Sequence, residues 1–196
     1  MAILDIRVLG DPVLREQTSP VTLVTDEIRR LVDDLFETMY AAEGIGLAAS
    51  QVGRRERVAV VDIGENPLVL INPEIVSRQG SASDEEGCLS IPDIYGEVER
   101  PDQIILRALD RDAEPFEIEA TGLLARCIQH EVDHLDGKLF IDYLSLLKRR
   151  IVARKWEREM DKYPDFIRKI VPGNGTGKKS RSRTQRTAQA SPDPEL

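Results

Sequence analysis

The sequence predicts an α+β fold in which antiparallel strands surround a central metal-binding helix, with a further helix at the C-terminal end of the ordered chain. Three observations carry that prediction. Apolar residues recur at helical spacing in only two or three stretches, and short β-branched runs bounded by turn residues lie between them. Two of those runs are separated by a five-residue polar loop, as in a hairpin, and the elements never settle into the strand–helix alternation of a doubly wound sheet. Both histidines of the 196-residue chain fall in one short window, His130-Glu131-Val132-Asp133-His134.

The elements follow in order. Ile28, Leu31, Val32, Leu35, Phe36, Met39 and Tyr40 repeat with the period of a helix, with Thr25 or Asp26 as N-cap and Gly44 as a stop. Residues 57–62 and 68–72 are apolar and β-branched and read as strands. Residues 104–109 and 116–120 read as the two strands of a hairpin joined by the polar loop 110–114. Leu123, Leu124, Cys127, Ile128, Val132 and Leu135 mark the histidine-bearing helix, closed by Gly137. A last helix is expected over residues 145–162, packed through Leu147, Ile151 and Trp156. There are no internal repeats. The expected organisation is one catalytic domain over residues 1–165, including the C-terminal helix, and a linker with a disordered basic tail over residues 166–196.

Composition narrows the class. With 41% hydrophobic and 32% charged residues the chain suits one globular domain. A net charge of −8 and a pI near 5.0 argue against nucleic-acid binding by the protein as a whole, so no specific DNA partner is expected. No apolar run approaches the roughly 18 residues of a membrane span, and the N-terminus reads as no leader. Two cysteines, Cys88 and Cys127, make no disulfide framework and suit a reducing compartment, so a cytoplasmic enzyme is expected. The charge is uneven. From Gly173 onward Lys178, Lys179, Arg181, Arg183 and Arg186 stand against Asp193 and Glu195, a balance of +3, and the preceding 172 residues hold −11. This last stretch lacks apolar periodicity and cannot offset the entropy of ordering.

The histidine window has a mechanical reading. One helical turn separates His130 from His134, so two imidazoles on one face, roughly 5–6 Å apart at Cβ, can converge on one ion. Glu131 is rotated by about 100° and can reach the ion's open position as a base. A catalytic site of this kind needs a third protein ligand. No further histidine exists, and Asp142 is the nearest downstream acid that could substitute. Cys127 stands three residues before His130 on the same helix and reads better as a small buried residue. Cys88, in Glu86-Gly87-Cys88-Leu89-Ser90, is the better third ligand. A further segment, Gly44-Ile45-Gly46-Leu47-Ala48-Ala49-Ser50-Gln51-Val52-Gly53, matches a loose dinucleotide pattern but follows a helix instead of a strand, which rules that reading out. Its small residues let backbone lie close to a ligand, and the Gln51 amide could donate to an oxyanion.

Together, residues 44–51, 86–90 and 129–134 resemble the three motifs of the peptide deformylase family, in that family's order and spacing. The resemblance extends over residues 3–162, and the compact layout and helical C-terminal region resemble the bacterial type of Gram-negative lineages. It implies hydrolytic removal of the formyl group from the N-terminal formylmethionine of nascent polypeptides, giving formate and a free amine. It implies one divalent ion, iron(II) in cells, with zinc, nickel or cobalt also suited to the donors Cys88, His130 and His134. Glu131 would then move the proton, with Gln51 and the Leu89 backbone N–H facing the developing oxyanion. Gly44, Ile45, Gly46 and Gly87 would meet the substrate main chain, and Cys127 and Ile128 its methionine side chain. The resemblance also points to a monomer that visits the ribosome through Lys148, Arg149, Arg154 and Lys155 of the last helix, extended by the basic tail. Tyr95 and Arg126 depart from residues that some relatives carry, which bears on substrate preference. A zincin-like endopeptidase shares the histidine window, but its third ligand comes from downstream. A binding module without catalysis would have no use for Glu131.

Overall fold

The computed structural model of the chain describes residues 2–171; the basic segment from residue 173 lies outside them. In chain order the elements are β1 (Ile6–Arg7), α1 (Asp26–Ala41), β2 (Gly46–Ala48), β3 (Val58–Val61), β4 (Leu68–Gln79), β5 (Ala82–Cys88), β6 (Ile91–Arg100), β7 (Gln103–Leu109), β8 (Pro115–Thr121), α2 (Gly122–Leu135), α3 (Leu146–Glu159) and β9 (Ile167–Arg168). The strands form a five-stranded sheet in the order β2-β3-β4-β7-β8, a β5–β6 hairpin and a small β1–β9 pair. All these pairings are antiparallel. The α+β class with a C-terminal helix is as expected.

The sheet is covered by a helix on each face, and β3 shows why. Its four residues are all fully buried, and strand alternation sends Val58 and Val60 to the α1 side and Ala59 and Val61 to the α2 side. On the α2 side the facing residues include Ala48, Ala59, Ala108, Ala120 and Ala125. Such small side chains let the histidine helix lie close against the sheet. On the α1 side Ile28, Leu31, Val32, Leu35 and Met39 cover Leu47 and Ile71; each fully buried aliphatic side chain is worth roughly 1.5–3 kcal/mol. Thr25 caps α1, its hydroxyl accepting from Ile28 N–H at 3.4 Å.

The C-terminal end of α2 is fixed with equal care, because it carries His134. Ser50 Oγ donates to the His134 carbonyl at 3.1 Å, and Thr18 donates to the Leu135 carbonyl through both N–H and Oγ1 at 2.9 Å. Gly137 then turns the chain at φ 71°, where an added Cβ would stand 2.7 Å from the Arg15 carbonyl oxygen. Only glycine satisfies both demands.

A third cluster joins the β5–β6 hairpin to α3 through Ile91, Ile94, Val98, Phe140, Val152 and Trp156. This corrects the expected packing of the last helix. Trp156 is buried as expected, beside Val152, whereas Leu147 is 69% and Ile151 59% exposed. Two further departures are of length. The strand expected over residues 68–72 runs on to Gln79 past irregular register near Pro73, and the chain beyond residue 165, expected to be linker, pairs as β9 with β1. No helix among the described residues is long and apolar enough to cross a membrane.

Candidate metal centre

The cleft lies where β2, the turn between β5 and β6, and α2 converge. It encloses about 1190 Å³ and is lined by Gly44, Ile45 and Gly46 on one wall, Gly87, Cys88 and Leu89 on the other, and Cys127, His130 and Glu131 at the floor. Both walls are strand edges: among the described residues β2 is the outermost strand of the large sheet, and β5 pairs only with β6.

Cys88, His130 and His134 come together at the base of the cleft, their candidate ligand atoms all within 4.8 Å of one another. Cys88 Sγ is 3.2 Å from His134 Nε2. Three converging donors, one sulfur and two imidazole nitrogens, are what a borderline-soft divalent ion takes. His130 has a fixed orientation, since its Nδ1 bonds Glu86 Oε2 at 3.0 Å. With the proton on Nδ1, Nε2 is left as the free donor atom.

Glu86 is the hub of a buried network that the sequence did not disclose. Its Oε1 accepts from Arg100 Nε at 2.6 Å and Arg126 Nη1 at 2.7 Å, and its Oε2 also accepts from Arg100 Nη2 at 3.0 Å. Arg100 reaches on to Asp133 at 2.7 Å, and Tyr143 donates to the other Asp133 oxygen at 2.8 Å. Burial alone would push the Glu86 carboxyl up; the hydrogen bonds from His130 and Arg100 outweigh it and hold the pKa at about 2. Arg126 also donates to the Val98 carbonyl at 2.9 Å and the Ala82 carbonyl at 2.8 Å. It therefore ties the hairpin to α2, a structural task of which the sequence around it gave no hint. The adjacency of Glu86 to Cys88 was the available signal.

Glu131 is buried beside these residues, and its Oε2 has no hydrogen-bond partner among the described residues. Burial, reinforced by the charges of Glu86 and Asp133 and opposed by His130 and Arg100, pushes its pKa up to about 7. A Cβ on Gly46 would fall onto this carboxylate and within 2.9 Å of Cys127 Sγ, so β2 approaches as closely as it does only with glycine there. Gln51 is oriented by its neighbours: Oε1 accepts from Ala48 N–H at 2.8 Å, which turns Nε2 towards Ser90 Oγ at 3.2 Å and Cys88 Sγ at 3.6 Å. Leu89 lines the cleft. Cys127 donates to the Ile45 carbonyl at 3.4 Å. Ile128 is a correction: it is fully buried among Ala48, Ala59 and their neighbours between α2 and the sheet, because one residue's rotation of about 100° from Cys127 turns it away from the cleft. Tyr95 is exposed at the rim, its ring lying 2.7 Å from where a Gly87 Cβ would be.

A family model described as polypeptide deformylase matches residues 3–150. The chain belongs to the peptide deformylase family. It is 61% identical over 162 residues to a peptide deformylase of Alkalilimnicola ehrlichii, a match covering 81% of this chain and 91% of that protein. A peptide deformylase from Legionella pneumophila superposes with a TM-score of 0.78 at 46% identity, covering 83% of this chain and 100% of that one. One from Ehrlichia chaffeensis, solved in complex with actinonin, gives 0.79 at 40% identity over 81% and 98%. As a family member the chain is a metal-dependent hydrolase that removes the N-formyl group from nascent polypeptides. A divalent ion is therefore part of the enzyme, and the Cys88, His130 and His134 donors fit it.

Proposed function

We propose that Cys88, His130 and His134 hold the catalytic ion and that Glu131, Gln51 and the Leu89 N–H act on the formyl group. The observation that carries this reading is the convergence of a thiol and two imidazoles beside a buried carboxylate oxygen that no group among the described residues satisfies. When bound, the ion lowers the pKa of water from 15.7 towards about 7 and polarises the formyl carbonyl. Glu131 takes the proton from the attacking water and returns it to the departing amine as the C–N bond breaks, so that water and formamide become formate and a free amino terminus. The Gln51 amide and the Leu89 N–H donate to the formyl oxygen as it gains charge. Glu86 keeps His130 in the tautomer that frees Nε2.

The peptide main chain adds as a strand between the open edges of β2 and β5, pairing with Ile45, Gly46 and Gly87 and passing Gly44. Main-chain pairing admits many sequences, and the methionine side chain lies against Cys127. Iron(II) is the working ion, a reading supported by the thiolate ligand and testable by metal analysis of protein purified without air; full activity after prolonged air exposure with zinc alone would exclude it. The enzyme acts as a monomer and meets the ribosome briefly through the basic face of α3.

The direct test measures formate release from a formyl-Met peptide beside internal cleavage of an unblocked peptide; only the first should occur. Among variants, His134→Ala should lose both metal and activity. Glu131→Ala should keep stoichiometric metal and lose about 10²–10⁴ in kcat, the typical worth of a general acid–base. Loss of metal from Glu131→Ala would overturn the division of roles.

A further inference from the structure

The family match ends at residue 150, yet two residues beyond it, Tyr163 and Arg168, line the cleft. They belong to a strap that leaves α3 and returns along the molecule to β1. The strap is held at several points that do not involve the Arg168 guanidinium. Tyr163 stacks on Trp156 with ring centroids 5.7 Å apart, and the Phe166 ring covers Gly10 so closely that a Cβ there has no room. Val8 N–H donates to the Phe166 carbonyl at 2.9 Å, and β9 pairs Ile167 with Arg7 and Arg168 with Ile6.

From that anchored backbone Arg168 Nη1 donates to the Leu89 carbonyl at 3.1 Å. The next carbonyl, Ser90, accepts from Leu9 N–H at 2.8 Å. The turn Leu89–Ser90, which joins Cys88 to β6, is thus held on two successive peptide planes from outside the hairpin. Both holding groups come from the β1–β9 end of the molecule. The Leu89 N–H belongs to the preceding peptide plane, Cys88–Leu89, which joins the first held plane at the Leu89 Cα. With neither carbonyl fixed the turn can rotate about its Cα bonds, and the direction of that N–H shifts with it. A guanidinium on a paired strand is a rigid way of preventing this.

We propose that Arg168 is a positioning residue that fixes the Leu89 turn for catalysis, so that the strap beyond the family match completes the active site. The proposal rests on the reading of the Leu89 N–H as an oxyanion donor. Arg168 touches the turn and not the reacting atoms, so its loss should appear in kcat and leave KM nearly unchanged.

The test compares full-length, metal-loaded Arg168→Ala, Arg168→Gln and Arg168→Lys with the parent on a formyl-Met tripeptide, with rates expressed per bound metal. Arg168→Ala should lower kcat about tenfold or more, a part of the roughly 10²–10³ that one oxyanion donor contributes. KM should change less than twofold and metal content not at all, and Arg168→Lys, which keeps a donor, should recover most of the rate. Should Arg168→Ala fold poorly, the Gln and Lys pair gives the same comparison. Unchanged kcat in folded Arg168→Ala or Arg168→Gln, or a KM rise at constant kcat, would overturn the proposal. An amide-to-ester replacement that deletes the Leu89 N–H separates the two ideas. If the ester leaves kcat intact, the oxyanion reading fails; if the ester lowers kcat and the Arg168 variants do not, the strap proposal fails.

Discussion

Single atoms decide the site at Gly46 and Arg126. Gly46 lets β2 lie against the Glu131 carboxylate, and even a methyl group there would collide with it and with Cys127 Sγ. Gly46→Ala should cost about 1–3 kcal/mol as an overpacked position. Its kcat should fall within the roughly 10²–10⁴ that a displaced acid–base can lose; denaturation and formate release measure the two effects separately. Arg126 is buried and donates to Glu86, Val98 and Ala82. Arg126→Met removes one partner of a buried pair, which typically costs 3–5 kcal/mol. Because Arg100 still pairs with Glu86, about 3 kcal/mol is expected, read as a lowered denaturation midpoint. The two residues also mark what a sequence can disclose. The three motifs were legible because each is a short local run, suggestive alone, and together they stand in the order and spacing of the peptide deformylase family. The network beneath them was not, since Arg100 meets Glu86 and Asp133 across 14 and 33 residues and Arg126 meets Glu86 across 40. No local pattern encodes contacts of that range.

Elements with a clear period were read almost to the residue. Thr25 caps α1 and Ser145 caps α3, and the 110–114 loop joins a hairpin. The β5–β6 hairpin escaped notice because β5 is Ala82-Ser83-Asp84-Glu85-Glu86-Gly87-Cys88, mostly exposed, with no apolar alternation to reveal it. Its pairing is fixed by β6 and by the arginines behind it, so tertiary contacts override weak local preference. Helix α3 failed in a different way. Its apolar residues fall on two faces; of the expected Leu147, Ile151 and Trp156 only Trp156 is buried, and it makes the contact with β6 together with Val152. Truncation separates the faces. Trp156→Ala should cost about 3–5 kcal/mol, the range for a large buried aromatic, while Leu147→Ala should stay within about 0.5 kcal/mol, as exposed sites do. Thermal denaturation of the two variants checks the assignment; equal losses would mean that Leu147 is covered in solution.

Across the whole molecule the charge is divided, with −11 on the first 172 residues although α3 is itself basic. The structure sorts the α3 cations by what they already hold. Lys148 pairs with Glu97 at 3.3 Å, Arg149 donates to the Leu144 carbonyl at 2.9 Å and also to the Asp142 carbonyl, and Lys155 donates to the Asp93 carbonyl. Arg150, Arg154 and Arg158 are exposed and recur every fourth residue, a spacing that puts them along one side of the helix. If α3 meets ribosomal RNA phosphates, these three arginines carry more of the contact than Lys148, Arg149 and Lys155, whose heads are engaged within the protein. Each phosphate contact contributes about 0.7–0.9 to the slope of log affinity against log salt. The triple variant Arg150→Glu, Arg154→Glu and Arg158→Glu should therefore bind ribosomes more weakly at low salt and lose binding less steeply as salt rises, the slope falling by about 2 or more. Turnover of a free formyl tripeptide should be unchanged, because none of the three lines the cleft. Co-sedimentation across a salt series measures the slope. An unchanged slope in the triple variant would show that the contact, if it forms, lies on another face of the molecule.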